Sequence, residues 1–171
     1  DIFQSLYQSD PTNTASLFGM GSVRMRQNKI GSAVGYFESL VALEPEHLQS
    51  RLNLLELYSR QLRNRELEKH VAAGLEHHPE NAVLWNYQGH VQNQQRKVKK
   101  ALKSFLKAVK YDDTYVPSYC NLATVYQTMG MFEEAREALE KAYELNQLPE
   151  YKLALASLLP PIPASLEAIQ E

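Results

Sequence analysis

The stretch ALKSFLKAVKYDDTYVPSYCNLATVYQTMG, residues 101–130, holds two apolar patterns separated by a short polar turn. In its second half, apolar residues follow the spacing i, i+3, i+4 and i+7, which places them on one side of an α-helix. These residues are Tyr119, Leu122, Ala123 and Tyr126. In its first half, Ala101, Phe105 and Ala108 form the pattern A-x3-F-x2-A. The stretch therefore predicts two helices joined by a turn.

The same pattern recurs along the chain with a period of 34 residues. Pro11, Pro45 and Pro79 mark this period, and two further steps reach Asp113 and Gln147. Columns of apolar or small residues stand at fixed distances before these positions. Eight residues before are Phe3, Phe37, Val71, Phe105 and Leu139; five before are Leu6, Leu40, Gly74, Ala108 and Ala142; twelve before are Ala33, Leu67, Ala101 and Ala135. Such a period indicates stacked hairpins that are stable only through their neighbours.

The pattern A-x3-F-x2-A-x4-P and its period resemble the second half of the tetratricopeptide repeat. The resemblance implies an all-α fold, a right-handed superhelical solenoid of tetratricopeptide helical hairpins. The frame places the end of a partial repeat, a second helix, at 1–13 and complete repeats at 14–47, 48–81, 82–115 and 116–149. A capping helix and a Pro-rich junction are expected at 150–171. Because the chain opens half-way through a repeat, we expect it to be a piece of a longer array.

Two columns of the first helices are expected to control how each hairpin closes. Gly21 and Gly89 fill a small position that lets the second helix approach, and Trp85 and Tyr119 fill a large aromatic position. We expect Trp85 to be buried between the second and third complete repeats. The proline is expected where the second helix stops, since it lacks an N–H and clashes with the preceding turn.

Composition excludes several classes of protein. The net charge of −2 gives no overall field towards nucleic acid or an anionic membrane, so neither is expected as a partner. Cys120 is the single cysteine, which excludes an internal disulfide framework and fits a reducing compartment. No apolar run approaches the roughly 20 residues of a membrane span, and Asp1-Ile2-Phe3 does not begin a signal peptide. A cytoplasmic protein is therefore expected.

No arrangement of residues predicts catalysis, a cofactor or a metal. His70, His77 and His78 lack the HxxxH or HExxH spacing of metal ligands, and we interpret them as surface histidines of the convex face. Phosphate-binding glycine motifs are absent from the sequence. Cys120 is interpreted as a packing or groove thiol rather than a nucleophile. The chain is accordingly predicted not to be an enzyme.

The convex face is predicted to carry two blocks of opposite charge. Lysines cluster on the second helix of the third complete repeat, and a basic patch is assigned to Lys99, Lys100, Lys103 and Lys107. The next second helix carries Glu133, Glu134, Glu137, Glu140 and Glu144. These blocks are expected either to attract each other as weak surface ion pairs or to serve an anionic partner.

The concave face is predicted to bind a polypeptide along the first helices. The assigned residues are Phe18, Leu52, Asn53, Glu56, Asn86, His90, Asn93, Asn121, Thr124 and Gln127. Amide side chains carry both donors and an acceptor, so they can bond a peptide backbone whatever its side chains. Tetratricopeptide domains that clamp a terminal carboxylate hold lysine in a column occupied here by Phe18, Leu52, Asn86 and Cys120. Self-association stays open as an alternative.

A narrower resemblance concerns the parent protein. Tyr119-Cys120-Asn121-Leu122-Ala123 resembles repeats of the O-linked N-acetylglucosamine transferases and their SPINDLY-like relatives, in which asparagines form a ladder along the inner surface. Segments within 152–169 are similar to the junction with the catalytic domain of that family. The resemblance implies a substrate- or partner-recognition region without catalytic groups of its own. The alternative is a free-standing tetratricopeptide adaptor of another assembly pathway.

Overall fold

The computed structural model describes residues 2–158, which form ten α-helices that pack consecutively along the chain. They are α1 (Ile2–Ser9), α2 (Thr14–Arg26), α3 (Ile30–Leu43), α4 (Leu48–Arg60), α5 (Asn64–His77), α6 (Ala82–Gln94), α7 (Val98–Tyr111), α8 (Val116–Thr128), α9 (Phe132–Asn146) and α10 (Pro149–Ser157). The pairs α2/α3, α4/α5, α6/α7 and α8/α9 are the hairpins. The Pro-rich junction predicted near residue 160 lies outside the described residues.

Short-range signals set the helix ends. Asn13 and Asn81 cap α2 and α6, where their side chains accept from the N–H groups of Ser16 and Leu84. Pro45 lies two residues beyond the last residue of α3, and Pro79 stands in the same place after α5. The helices therefore turn where the 34-residue period places the prolines.

The repeat columns form the core. Ala33, Leu67, Ala101 and Ala135 have no exposed surface, and Phe37 and Phe105 are buried with them. At Gly89 an added Cβ would lie 2.5 Å from the Phe105 ring, so only glycine lets α6 and α7 come this close. In the second hairpin the equivalent position is Leu55. The two helices of that hairpin, α4 and α5, pack less closely than the two helices of each of the other three hairpins.

Trp85 is only half-buried, and the prediction that it is a core residue is wrong. Its indole N–H donates to the carbonyl of Pro79 (2.7 Å), and the Lys107 ammonium lies 3.8 Å from the ring centroid. The ring therefore lies beside the exposed side of α7 rather than under it. Leu84, its neighbour in sequence, is the fully buried side chain of this turn.

His70 also departs from prediction. It was expected on the surface, but it is buried against the Tyr58 ring with a centroid distance of 5.3 Å. The reason is its place one turn before Gly74, on the side of α5 that faces α4 rather than solvent. His77 stays exposed, and His78 makes a hydrogen bond with the Glu46 carbonyl (2.6 Å).

Candidate functional site

The first helices of the hairpins form the inner side of the stack. α4 approaches α6, and α6 approaches α8, at Cα–Cα distances within 8 Å, whereas the second helices α3, α5, α7 and α9 do not pair in this way. In a curved stack of hairpins, the helices of successive hairpins come closest to each other on the concave side. The concave face therefore belongs to α4, α6 and α8, with α2 continuing it at a wider spacing.

An open groove of about 470 Å³ lies between α2 and α4. Its walls are Phe18, Ser22, Met25 and Arg26 from α2, and Gln49, Asn53 and Arg60 from α4. Phe18 is held at the floor by tilted contacts with the rings of Phe37 (6.0 Å) and His47 (5.5 Å). The groove thus combines an apolar floor, two amides and two guanidinium groups.

The amides of this groove are partly free. The Oδ1 of Asn53 accepts from Gln49 Nε2 in the same helix (3.2 Å), which leaves the Asn53 NH2 group without a hydrogen bond in residues 2–158. Arg60 is 3.7 Å from Glu56, in an exposed pair of the kind that contributes little to stability. Arg26 forms no ion pair with the described part of the chain. The groove can therefore still donate hydrogen bonds and attract anions.

Asn86 does not line an open surface, contrary to prediction. It is 8% exposed, and its Oδ1 accepts from Asn121 Nδ2 (2.8 Å) and Ser118 Oγ (3.2 Å). This bonding fixes α6 to α8. Two amides that were assigned to ligand binding therefore hydrogen-bond to each other across the hairpins.

The other assigned residues of the concave face differ in exposure. Leu52 packs against the first part of the core, and Glu56, Thr124 and Gln127 are exposed. His90 and Asn93 are half-buried, and His90 Nε2 lies 2.9 Å from Gln94 Nε2. Burial lowers the pKa of His90, which favours a neutral ring.

Tyr87 is a half-buried residue of α6, and Glu56 of α4 is near its phenol. Burial raises the pKa of Tyr87 to about 12, and the neighbouring Tyr115 and Glu56 add to this effect. The phenol therefore stays protonated, and Tyr87 packs against the first part of the core, as Leu52 does.

The basic patch on α7 is exposed as assigned. Lys99, Lys100, Lys103 and Lys107 all reach solvent, and none forms an ion pair with the described residues. The expected attraction between this patch and the glutamates of α9 is not observed. In the part of the chain described, every ion pair joins residues three or four apart in the sequence, as in Arg136–Glu133 and Lys141–Glu144.

Ser118 is the contributor that sequence reasoning missed. Ser16 and Ser50 precede it in the same 34-residue column, and all three serines are fully buried. The period itself could have identified this column, because a serine in an apolar helix face usually needs a hydrogen-bonding partner. Asn86 supplies that partner for Ser118.

Comparison with known proteins fits this geometry. Residues 116–147 match the family model described as "Tetratricopeptide repeat". The chain has the tetratricopeptide-repeat fold. It superposes on a thermophilic TPR protein of Thermus thermophilus with a TM-score of 0.72, at 22% identity and with 92% of this chain and 87% of that chain covered. The all-α solenoid predicted from the period is confirmed.

Other relatives extend this likeness. YrrB, described as a TPR protein with an unusual peptide-binding site, superposes with a TM-score of 0.72 at 15% identity, over 91% of this chain and 80% of that chain. DnaJ homolog subfamily C member 7 of Homo sapiens is 25% identical over an alignment of 170 positions that covers 90% of this chain. The chain spans about a third, 34%, of the length of that relative.

Residues 2–158 offer neither a metal-binding cluster nor a membrane span. No group of three His, Cys, Asp or Glu side chains in this range is placed to hold a metal ion. No helix in the same range has the length and apolar character needed to cross a membrane.

Proposed function

We propose that this chain is a protein–protein interaction scaffold that binds an extended polypeptide on its concave face, with the groove between α2 and α4 as the main contact. The observation that carries the proposal is the groove of about 470 Å³ between two helices that stand apart, with unengaged donors on both walls. Ligand pockets characteristically combine an apolar floor with a few placed polar groups.

Each part of the groove suggests a feature of the ligand. Phe18 and Met25 provide an apolar floor for one side chain of the peptide. Gln49 and Asn53 can bond the peptide backbone, at about 0.5–1.5 kcal/mol net for each hydrogen bond. Arg26 and Arg60 favour an acidic residue, as guanidinium groups pair well with carboxylates.

A phage-display selection followed by fluorescence anisotropy tests this proposal. Peptides of about 12 residues selected on the protein are expected to bind the parent and to lose at least tenfold in affinity with Ser22→Trp, which fills the groove. Ser39→Trp is the matched control, because both hydroxyls donate to the carbonyl four residues earlier and Ser39 lies on α3, outside the groove. Equal affinity of the two variants would refute the groove as the binding site.

The narrower proposal concerns the parent protein. We propose that these repeats recognise substrates for a SPINDLY-like protein O-glycosyltransferase, supported by the similarity of residues 152–169 to its junction and by Asn53 and Asn121 in the ladder column. The repeats alone are expected to bind no UDP- or GDP-sugar in calorimetric titration. Transfer of a sugar by the parent polypeptide would support this proposal, and a parent without a sugar-nucleotide site would refute it.

The alternative is a tetratricopeptide adaptor without a transferase. The match of 170 residues to DnaJ homolog subfamily C member 7 supports it, at 25% identity. In this case the peptide-binding groove is unchanged, and only the attached domains differ. Cytoplasmic location and self-association remain predictions, and sedimentation at several protein concentrations tests the second of them.

A further inference from the structure

A second cleft lies on the other side of the hairpins, between the second helices α3 and α5, and also has a volume of about 470 Å³. Its walls are aliphatic at Val41, Ala42, Pro45 and Ala73. Its polar lining consists of Glu38, Arg51, Lys69 and His70. The cleft shares no residue with the groove between α2 and α4, so the two sites can be tested separately.

Arg51 is the central polar group of this cleft. It occupies the aromatic column of the repeat, and a Cβ at Gly74 would lie 2.8 Å from its Cδ, so the glycine of α5 makes room for it. Arg51 is 4% exposed and its guanidinium donates to the carbonyl of Pro45, but its Nε–H has no acceptor in the described residues. No carboxylate within ion-pair distance neutralises it in residues 2–158.

His70 adds a second unpartnered nitrogen. The residue is 8% exposed, and its Nδ1 forms no hydrogen bond with residues 2–158. Burial, followed by the charge of Arg51, lowers the pKa of His70 to about 4, so the ring is neutral at pH 7. Buried polar nitrogens in folded proteins nearly always have a partner. The Arg51 Nε–H is a donor without one, whereas the Nδ1 of the neutral His70 ring is a donor or an acceptor according to its tautomer, so Arg51 is the group that points to an anionic ligand.

The charge of the lining selects an anion. Glu38 is the one carboxylate of the lining, and it accepts a hydrogen bond from the Tyr58 hydroxyl. Lys69 adds an exposed ammonium group at the edge. Arg51 and Lys69 give the lining two cationic donors against the one carboxylate of Glu38, and the remaining wall is aliphatic.

We propose that this cleft binds an aliphatic carboxylate, held by Arg51 and Lys69 and with its hydrocarbon part against Val41, Ala42 and Ala73. A planar guanidinium matches the geometry of a carboxylate, and its attraction increases where water is excluded. A phosphate dianion would be repelled more strongly by Glu38. The ligand is either a free branched acid or the C-terminus of a peptide that ends in an aliphatic residue.

Amide NMR spectra of the ¹⁵N-labelled chain test the chemistry and the source of the carboxylate. The probes are isovalerate, its neutral amide isovaleramide, and a short peptide ending in valine with a free or an amidated C-terminus. We expect saturable shifts at Ala42 and Ala73 with the two carboxylates and none with the two amides. Tighter binding of isovalerate identifies a free acid as the ligand, and tighter binding of the peptide identifies a chain terminus.

Matched variants locate the site. Ala73→Leu fills the cleft and is expected to weaken binding at least tenfold, whereas Ala72→Leu, on the exposed side of the same helix, is expected to change nothing. Lys69→Gln is expected to weaken binding several-fold and Lys103→Gln, on α7, to leave it unchanged. Thermal melts verify that each variant folds.

Three results would overturn the proposal. They are an absence of saturable shifts with either carboxylate, equal shifts with the neutral amides, and full affinity of the Ala73→Leu variant. The Ser22→Trp variant separates this proposal from the peptide groove, since it blocks only the space between α2 and α4. Carboxylate binding is expected to survive in that variant.

Discussion

The two ends of the concave face use similar side chains for different purposes. At the seam between α6 and α8, Asn86 faces Asn121, and their side chains bond across the hairpins. The equivalent pair between α2 and α4, also 35 residues apart, is Phe18 and Asn53. The phenyl ring has no amide to offer, and the Asn53 side chain bonds only Gln49 of its own helix in residues 2–158. The contact between α2 and α4 therefore contains an open groove, whereas the contact between α6 and α8 is closed by a hydrogen bond. We call each contact between neighbouring first helices a seam.

The contact between α4 and α6 lies between these two regions and differs from both. The equivalent residues of α4 and α6 are Leu52 and Tyr87, which both pack against the first part of the core. The pair between α6 and α8 shares a hydrogen bond, and the pair between α4 and α6 packs against a common core. No hydrogen bond joins Phe18 to Asn53 in residues 2–158, and the open groove lies at this pair. An asparagine on a concave face is thus available to a ligand only when the next hairpin offers it no partner.

The largest effects are expected in the core, where the two ends should behave alike. Phe37→Ala and Phe105→Ala each remove a fully buried ring and are expected to destabilise the protein by about 3–5 kcal/mol. Phe3, in the same column, is 37% exposed, so Phe3→Ala should have a smaller effect. Urea unfolding followed by circular dichroism measures this, and curves of Phe105→Ala that overlay the parent would contradict the repeat frame.

Acid should weaken the end with the open groove through His70. The pKa of His70 is about 4 in the folded protein and about 6.5 in the unfolded chain. Between these two pH values the unfolded chain binds a proton at His70, whereas the folded protein does not. Stability is therefore lost as the pH falls from 6.5 to 4, by up to roughly 3 kcal/mol. Urea unfolding at pH 7 and pH 4.5 should give a smaller loss for His70→Gln than for the parent. An equal loss would show that His70 titrates normally.

Asparagine replacements compare the two ends directly. Asn86→Ala removes the acceptor of two cross-helix hydrogen bonds and is expected to destabilise the protein by about 1–3 kcal/mol. Asn53→Ala removes only a contact within α4 and should change stability by less than about 0.5 kcal/mol. Thermal or urea unfolding of both variants checks this. Similar losses would mean that the two seams are equally closed.

Trp85→Ala is expected to have a smaller effect than the replacements of the buried phenylalanines. The indole loses one hydrogen bond and one contact with Lys107, which together suggest about 1–2 kcal/mol rather than the loss typical of a buried tryptophan. Lys107→Ala should account for about 0.5–1 kcal/mol of this. A double-mutant cycle in urea measures the coupling, and additive effects would show that ring and ammonium do not interact.

The period predicted most of the fold because it depends on columns of apolar and small residues that each hairpin satisfies in the same way. Phe37, Phe105 and the alanine column are examples. Trp85 was misplaced because a repeat column does not state which side of the ring the next helix covers. Burial of His70 was missed because residue type alone suggested a surface position.

The site was harder to predict than the fold. Spacing placed Phe18, Asn53, Asn86 and Asn121 on one face, but it did not say which of them bond to each other. That outcome depends on pairs 32 to 35 residues apart, such as Asn86 with Ser118 and Asn121, and on the local distance between helices. Arg51 stands 34 residues before Trp85, in a column that predicts packing between hairpins, and the spacing does not predict that it lines a second cleft.

The most direct test of the account is an NMR map of a selected peptide bound to the ¹⁵N-labelled chain. We predict saturable amide shifts concentrated on α2 and α4 around Ser22, Met25 and Asn53, with little change on α7 and on the inner side of α8. We also predict that these shifts disappear in Ser22→Trp and persist in Ser39→Trp. Shifts centred on Asn121 and Thr124, or on the lysines of α7, would contradict the claim that the unpaired seam is where this protein binds.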